Sequence, residues 1–99
     1  MVETKKIIDA IFDAVESLNP QLPTEQRLEK SADTVLFGKN GRLDSIALVN
    51  LIVAIEGEIE ERFGIIITLA DQKAMSQKNS PFQSIKSLAD YIRILLEEN

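Results

Sequence analysis

Apolar residues recur at helical spacing in three separate stretches of this 99-residue sequence. In the first and last stretches they return every three or four residues, and charged residues fill the positions between them. A single apolar stripe of this kind is typical of an amphipathic helix that packs one face against a core. The pattern predicts one helix over about residues 4 to 18 and another over about residues 85 to 98, with Ser84 as the N-cap of the second.

The middle stretch, about residues 45 to 63, is apolar over more than one face. Asp44 precedes it and is a favoured N-cap, because its carboxylate can accept a hydrogen bond from an early backbone N–H. Gly64 follows it and suits the left-handed end of a helix. We expect this helix to be central to the bundle or to meet partners with part of its surface. Gly57 inside it indicates either a tolerated surface glycine or a bend or close contact.

The first connection, residues 19 to 43, is long for a compact domain and is therefore a candidate functional loop. We expect one helical turn near Thr24 to Glu29 and a second turn at Gly38 to Gly41. Val35-Leu36-Phe37 supplies apolar side chains that would anchor the connection to the core.

The second connection begins with three isoleucines, Ile65 to Ile67. They could form a strand, but the sequence offers no second clear strand to pair with, so we expect an extended anchoring segment. A capping-box pattern that begins at Thr68 predicts a short helix over about residues 69 to 75. The sequence therefore predicts an all-α fold in a single domain, residues 1 to 99, with three principal helices and one short helix.

Composition restricts the chemistry of the chain. It contains no His and no Cys, which excludes an imidazole base, a thiolate nucleophile and a disulfide. The sequence has no Gly-rich phosphate loop and no calcium-loop spacing of acids. Paired carboxylates in a pocket could still run acid–base chemistry, but we expect neither an enzyme nor a metal site.

Charge and hydropathy restrict the partners. The formal charge of -5 repels phosphate backbones, so we expect no nucleic-acid partner. No apolar run approaches the roughly 18 to 20 residues of a membrane-spanning helix, and the N-terminus lacks the apolar stretch of a signal peptide. We expect a cytoplasmic monomer without membrane insertion.

The most informative motif is Leu43-Asp44-Ser45-Ile46, where the long connection meets the middle helix. An Asp-Ser pair alone is weak evidence for a function, because both residues are common helix caps and Ser45 could be an ordinary first-turn residue. Three features around the pair favour a function: the long Gly-containing loop before it, the apolar helix after it, and the acidic charge of the chain.

Together with Glu60-Glu61-Arg62-Phe63-Gly64-Ile65 and Leu88-Ala89-Asp90-Tyr91-Ile92, this motif resembles the acyl carrier protein family over nearly the whole chain. The family carries Asp-Ser-Leu at the start of its second helix, and Ile46 replaces the Leu here. The resemblance implies an acyl-carrier-like helical bundle in which Ser45 carries a covalent 4'-phosphopantetheine arm. A separate magnesium-dependent phosphopantetheinyl transferase would move this arm from coenzyme A. The arm's thiol would then present acyl groups as thioesters to acyl-loading, elongating or transferring enzymes.

The resemblance also implies a docking surface on the middle helix. Carriers of fatty acid synthesis usually place acids along its exposed face, whereas here the early positions are neutral and the acids come later, from Glu56 to Glu61. We therefore expect a specialised lipid, polyketide or peptide pathway, or a dedicated aminoacyl carrier. The residues expected to recognise partners are Asp44, Ile46, Ala47, Asn50, Val53, Glu56, Glu60 and Glu61, with Glu58 as a further acid of the group.

By the same resemblance, an acyl-chain cleft lies between the middle helix and the later elements. Its aliphatic walls would be Val49, Ile52, Ile55, Ile65, Ile67, Leu69 and Ile92. Such walls could part without leaving polar groups unpaired, and the acyl chain would gain by leaving water. The alternative function is an unmodified helical module whose apolar middle-helix face binds a partner helix.

Overall fold

A computed structural model describes residues 3–37, 41, 43–69 and 82–98 of the chain. In this part of the chain there are three α-helices, α1 (Thr4–Leu18), α2 (Ser45–Phe63) and α3 (Ile85–Glu98), and no strand. The all-α prediction is thus confirmed for these residues, and the three helices coincide with the ranges that the apolar periodicity predicts. No helix in the described part of the chain has the length and the hydropathy that a membrane span requires.

Helix α1 packs against both α2 and α3. Its buried residues follow one stripe: Ile7, Ala10, Ile11, Ala14, Val15 and Leu18. The helix ends at Leu18, before Asn19-Pro20, and the chain continues in a 3₁₀ turn, Asn19–Gln21, that the sequence did not predict. The turn expected near Thr24 is a single 3₁₀ turn, Thr24–Gln26.

Helix α2 presents one stripe to the core and another to solvent. Its buried stripe is Ala47, Leu48, Leu51, Ile52, Ile55 and Ile59. Asp44 caps the helix and Gly64 closes it in the left-handed conformation, with a φ of 67°, so both cap predictions are confirmed. A Cβ placed on Gly57 would meet no atom within 4 Å, and Gly57 is exposed, which identifies it as a surface glycine without a close contact.

Helix α3 begins with a reciprocal pair of hydrogen bonds. The Ser87 N–H donates to Ser84 Oγ at 3.1 Å, and the Ser84 N–H donates to Ser87 Oγ at 3.0 Å. These bonds satisfy backbone donors that have no partner inside the helix, and they confirm Ser84 as the cap. The long connection provides a further hydrogen bond at this end of α3, because the Ile85 N–H donates to the Thr34 carbonyl at 3.0 Å.

Side chains of the segment after α2 alternate between the core and solvent, and the buried ones anchor the segment. Ile67 and Leu69 are buried, Ile65 is partly buried, and Ile66 is 76% exposed. None of residues 65 to 69 has regular secondary structure, in agreement with the expected extended anchor. The predicted short helix over 69 to 75 lies outside the described residues beyond Leu69, and so do residues 38 to 40 of the turn predicted at Gly38 to Gly41.

Candidate attachment site at the start of helix α2

Ser45 is the first residue of α2, and the backbone changes from extended to helical just before it. Asp44 has φ -82° and ψ 179°, and its carboxylate Oδ1 accepts the Ala47 N–H at 2.8 Å. The Asp44 carbonyl accepts the Leu48 N–H at 2.9 Å, which is the first bond of the helical ladder. The cap and this bond together define the position at which α2 begins.

The chain that enters α2 is tied to the rest of the fold by backbone hydrogen bonds. The Leu43 N–H donates to the Leu36 carbonyl at 3.1 Å, and the Leu36 N–H donates to the Gln83 carbonyl at 2.7 Å. Both leucine side chains are buried, so the predicted anchoring role of the segment around Leu36 is confirmed. These bonds connect the start of α2 through the long connection to the residues that precede α3.

Gly41 makes a close approach that only glycine allows. A Cβ placed on it would lie 2.5 Å from the Cα and 2.7 Å from the N of Phe37, closer than real Cβ atoms come. Gly41 therefore lies directly against the backbone of Phe37, two residues before Leu43 makes its bond. Sequence reasoning indicated a turn here, but it could not identify the backbone that Gly41 meets.

Two opposing charges lie at this end of α2. The first turn of a helix carries a partial positive charge that favours an anion, and the Asp44 carboxylate places a negative charge beside it. The chain contains no His and no Cys, so neither an imidazole nor a thiolate of its own can activate a hydroxyl here. Among the described residues no group of three or more acidic side chains is placed to hold a metal ion.

The residues expected to recognise partners fall into two groups in the structure. Ile46 is 75% exposed and Val53 is 59% exposed, and Asn50 between them is also exposed. Ala47 differs from the expectation, because it is only 5% exposed and belongs to the buried cluster. Ala47 lines a cavity together with Leu18 and Leu22, residues that the sequence pattern of α2 alone does not place beside it.

The acidic residues of α2 also fall into two groups, those with partners inside the protein and those that are exposed. The Leu69 N–H donates to Glu56 Oε2 at 2.6 Å, so Glu56, which is expected on the docking surface, holds the segment after α2. Glu58 forms an ion pair with Arg62 one turn later, and Arg62 also pairs with Asp13 of α1. Glu60 is exposed, as is Glu61 beside it. Glu60 and Glu61 are therefore the acids whose described placement suits a docking surface.

Most of the residues expected to line an acyl-chain cleft come together in the core. Ile52, Ile55, Ile67, Leu69 and Ile92 are buried in one apolar cluster, and Ile65 packs against it. Val49 does not share this position, because it is 40% exposed. It lies near Ile46 and Val53 along the helix, so it adds to the exposed apolar stripe rather than to the interior.

A groove that sequence reasoning missed runs between α2 and the chain that follows α1. It consists of two adjoining cavities of about 310 and 260 Å³ that share Leu18, Gln21 and Asn50. Asp44 and Ile46, the two neighbours of Ser45, line its first cavity. No sequence signal identifies such a groove, because its walls come from segments about 20 to 30 residues apart.

No family model, no curated protein and no solved structure matches the chain. The resemblance to acyl carrier proteins therefore depends on the Asp44-Ser45 motif, the order of the helices and the two further sequence matches in α2 and α3.

Proposed function

We propose that this protein is an acyl carrier protein. It carries acyl intermediates as thioesters on a 4'-phosphopantetheine arm attached to Ser45 and presents them to separate enzymes. The observation that carries the proposal is the position of Ser45 as the first residue of α2, directly after its N-cap Asp44. The long connection before it and the apolar helix after it add support.

The cap argues against a purely structural role for Ser45. A serine at a helix start commonly serves as the cap, but here the Asp44 carboxylate accepts the Ala47 N–H and fills that role. Helix formation therefore does not require a hydroxyl at position 45. The helix N-terminus favours the negative charge of a phosphodiester, which suits the attachment of this group to the first residue of α2.

The residue inventory fits a carrier that depends on other proteins. When bound, the arm supplies the thiol that this Cys-free chain lacks. A phosphopantetheinyl transferase would deliver the arm from coenzyme A, and acyl-loading, elongating or transferring enzymes would use it. This chain contributes the attachment residue, the surface of α2 that these enzymes meet, and the apolar interior that could shelter an acyl chain.

The surface of α2 favours a specialised pathway. Its early exposed side chains, Ile46, Asn50 and Val53, are uncharged, and the exposed acids Glu60 and Glu61 follow only near its end. Apolar contact supplies most of the affinity of such a surface, and charge mainly selects and steers the partner. We infer a partner set in lipid, polyketide or peptide synthesis, or in aminoacyl transfer, rather than the enzymes of housekeeping fatty acid synthesis.

The alternative is an unmodified module that binds a partner helix. The exposed apolar stripe of Ile46, Val49 and Val53 favours it, because monomeric proteins rarely leave contiguous apolar surface without a use. This module would function without any group on Ser45. The two proposals therefore differ in one measurable property, the mass of the functional protein.

Intact-protein mass spectrometry tests the proposal. The purified chain is incubated with coenzyme A, Mg²⁺ and a phosphopantetheinyl transferase of broad specificity, and we expect it to gain the mass of one arm. Ser45→Ala should gain nothing, whereas the matched variant Ser17→Ala, on the exposed face of α1, should be modified like the parent. A parent protein that gains no mass would favour the unmodified module.

A further inference from the structure

The groove between α2 and the chain after α1 is distinct from the expected acyl-chain cleft. We call it the carboxamide groove and define it by six residues: Leu18, Gln21, Leu22, Gln26, Ala47 and Asn50. It extends along α2 into the second cavity, where Val53 contributes an apolar wall. All of these residues are described, and none of them belongs to the predicted cleft.

The floor and rim of the carboxamide groove differ in chemistry. Leu18, Leu22 and Ala47 are buried and form an apolar floor. Gln21, Gln26 and Asn50 line the same space, and each carboxamide can both donate and accept hydrogen bonds. The groove therefore suits a ligand that alternates apolar groups with amides or hydroxyls.

The charge of the lining residues narrows the choice of ligand further. The chain carries a formal charge of -5, yet among the described residues that line the two cavities Asp44 is the one ionisable residue. Its Oδ1 already accepts the Ala47 N–H. The described lining offers no set of charges that would match a strongly cationic or anionic ligand, whereas an uncharged ligand needs none.

The position of the groove indicates where its ligand starts. Asp44 and Ile46 lie on either side of Ser45 in the sequence, and both line the first cavity. A flexible group attached to Ser45 would begin next to the groove.

We propose that the carboxamide groove holds the phosphopantetheine arm when no enzyme engages it, an inference that rests on the proposed function. Beyond its phosphate, the arm is uncharged and contains two amides, a hydroxyl and a geminal dimethyl group. The amides match Gln21, Gln26 and Asn50, and the methyl groups match the apolar floor. The acyl chain and the arm would thus use different residues of α2.

Because the arm is tethered to the protein, a groove that binds it weakly is sufficient to hold it. A group attached by a short flexible linker reaches an effective concentration in the millimolar range at a nearby site. A groove with a millimolar dissociation constant would therefore be about half occupied. Such weak binding keeps the arm near the surface and still allows an enzyme to withdraw it.

Nuclear magnetic resonance locates the arm directly. Spectra of the protein with and without the arm are compared after mass spectrometry has confirmed attachment. We expect shifts in the side-chain amides of Gln21, Gln26 and Asn50, and contacts between the geminal methyl groups of the arm and Leu22. Shifts confined to the chain next to Ser45, or found instead at Ile52 and Ile92, would overturn the inference.

Thiol reactivity gives an independent readout, because the thiol of the arm is the sole thiol in a chain without Cys. Removal of a rim amide by Asn50→Ala should raise the rate of alkylation by an uncharged reagent roughly two-fold, as expected for a site that is half occupied. Gln21→Ala is a second variant of the same kind. Gln83→Ala, an exposed glutamine outside the groove, is the matched control and should leave the rate unchanged.

The outcomes separate this inference from the proposed function. If no arm attaches to Ser45, both are overturned. If the arm attaches but the groove amides do not shift and both rim variants react at the rate of the parent, only the groove is excluded as its resting site. Circular dichroism confirms that each variant is folded, so that a faster reaction cannot result from unfolding.

Discussion

Truncation of Glu56 tests how the segment after α2 is held. Glu56→Ala removes the carboxylate that accepts the Leu69 N–H at 2.6 Å, 13 residues away in the sequence. The bond is partly buried, and the Leu69 side chain is fully buried beside it. The variant would leave a backbone donor without its partner at the point where the chain enters the core.

The expected magnitude follows from the nature of this bond. A buried donor that loses its partner costs about 1–3 kcal/mol, and bonds to charged acceptors lie in the upper part of the usual range. In a domain of this size, each 1 kcal/mol of unfolding free energy corresponds to about 4–8 °C in melting temperature. Glu56→Ala should therefore melt clearly below the parent protein, by at least about 4 °C.

Thermal and denaturant unfolding of three variants provides the measurement. Glu56→Gln keeps an oxygen acceptor but not its charge, so it should lose about half as much stability as Glu56→Ala. Glu60→Ala removes an exposed acid from the same helix and should change the unfolding free energy by no more than about 0.5 kcal/mol. Equal stability of Glu56→Ala and Glu60→Ala would show that the bond to Leu69 contributes nothing to the free energy of unfolding.

Three further predictions concern the turn, the docking surface and the acyl chain. Gly41→Ala should lower the unfolding free energy by about 1–3 kcal/mol because the new Cβ meets the Phe37 backbone, whereas Gly57→Ala, in open space, should raise it by about 0.4–1 kcal/mol; equal effects in denaturant unfolding would contradict the close approach. Reversal of Glu60 and Glu61 to Lys should slow turnover by cognate enzymes at low salt, and unaltered turnover by all of them would exclude an acidic contribution to docking. Loading with a medium-length acyl chain should raise the melting temperature above that of the protein with the bare arm, and identical melting curves would indicate that the acyl chain stays in solvent.

The helices could be predicted because their signals are local. The stripe of α1 and α3 repeats every three to four residues, and the breaks after Leu18 and before Ile85 coincide with residues that stop or cap a helix. The caps at Asp44 and Gly64 follow from side-chain chemistry and backbone preference at single positions. Neighbouring residues in the sequence largely determine where these helices begin and end.

The details of the α2 surface could not be predicted because they depend on distant segments. Ala47 is buried and lines a cavity with Leu18 and Leu22, and the Glu56 carboxylate accepts a hydrogen bond from the backbone N–H of Leu69, beyond the end of its own helix. Val49 appeared equivalent to its apolar neighbours in the sequence, yet it is 40% exposed. Helical periodicity shows that α2 has several apolar faces, but only the packing shows which of them is covered.

The proposed attachment residue could be named from the sequence because its motif is local, whereas the groove could not. Asp44 and Ser45 are adjacent at the start of a helix, and the long loop before this helix and its apolar composition draw attention to the pair. The groove requires Gln21 and Asn50 to face the same space across the long connection. Spatial proximity of this kind follows from the docking of α1 against α2.

The most direct test of the central claim is to locate the modification by peptide mapping. The full chain is produced together with a phosphopantetheinyl transferase, digested, and analysed by tandem mass spectrometry. We expect the arm on Ser45 and on no other serine, and we expect the Ser45→Ala protein to carry none while keeping its helical circular dichroism. An arm on another residue, persistent modification of Ser45→Ala, or an unmodified parent protein would contradict this expectation.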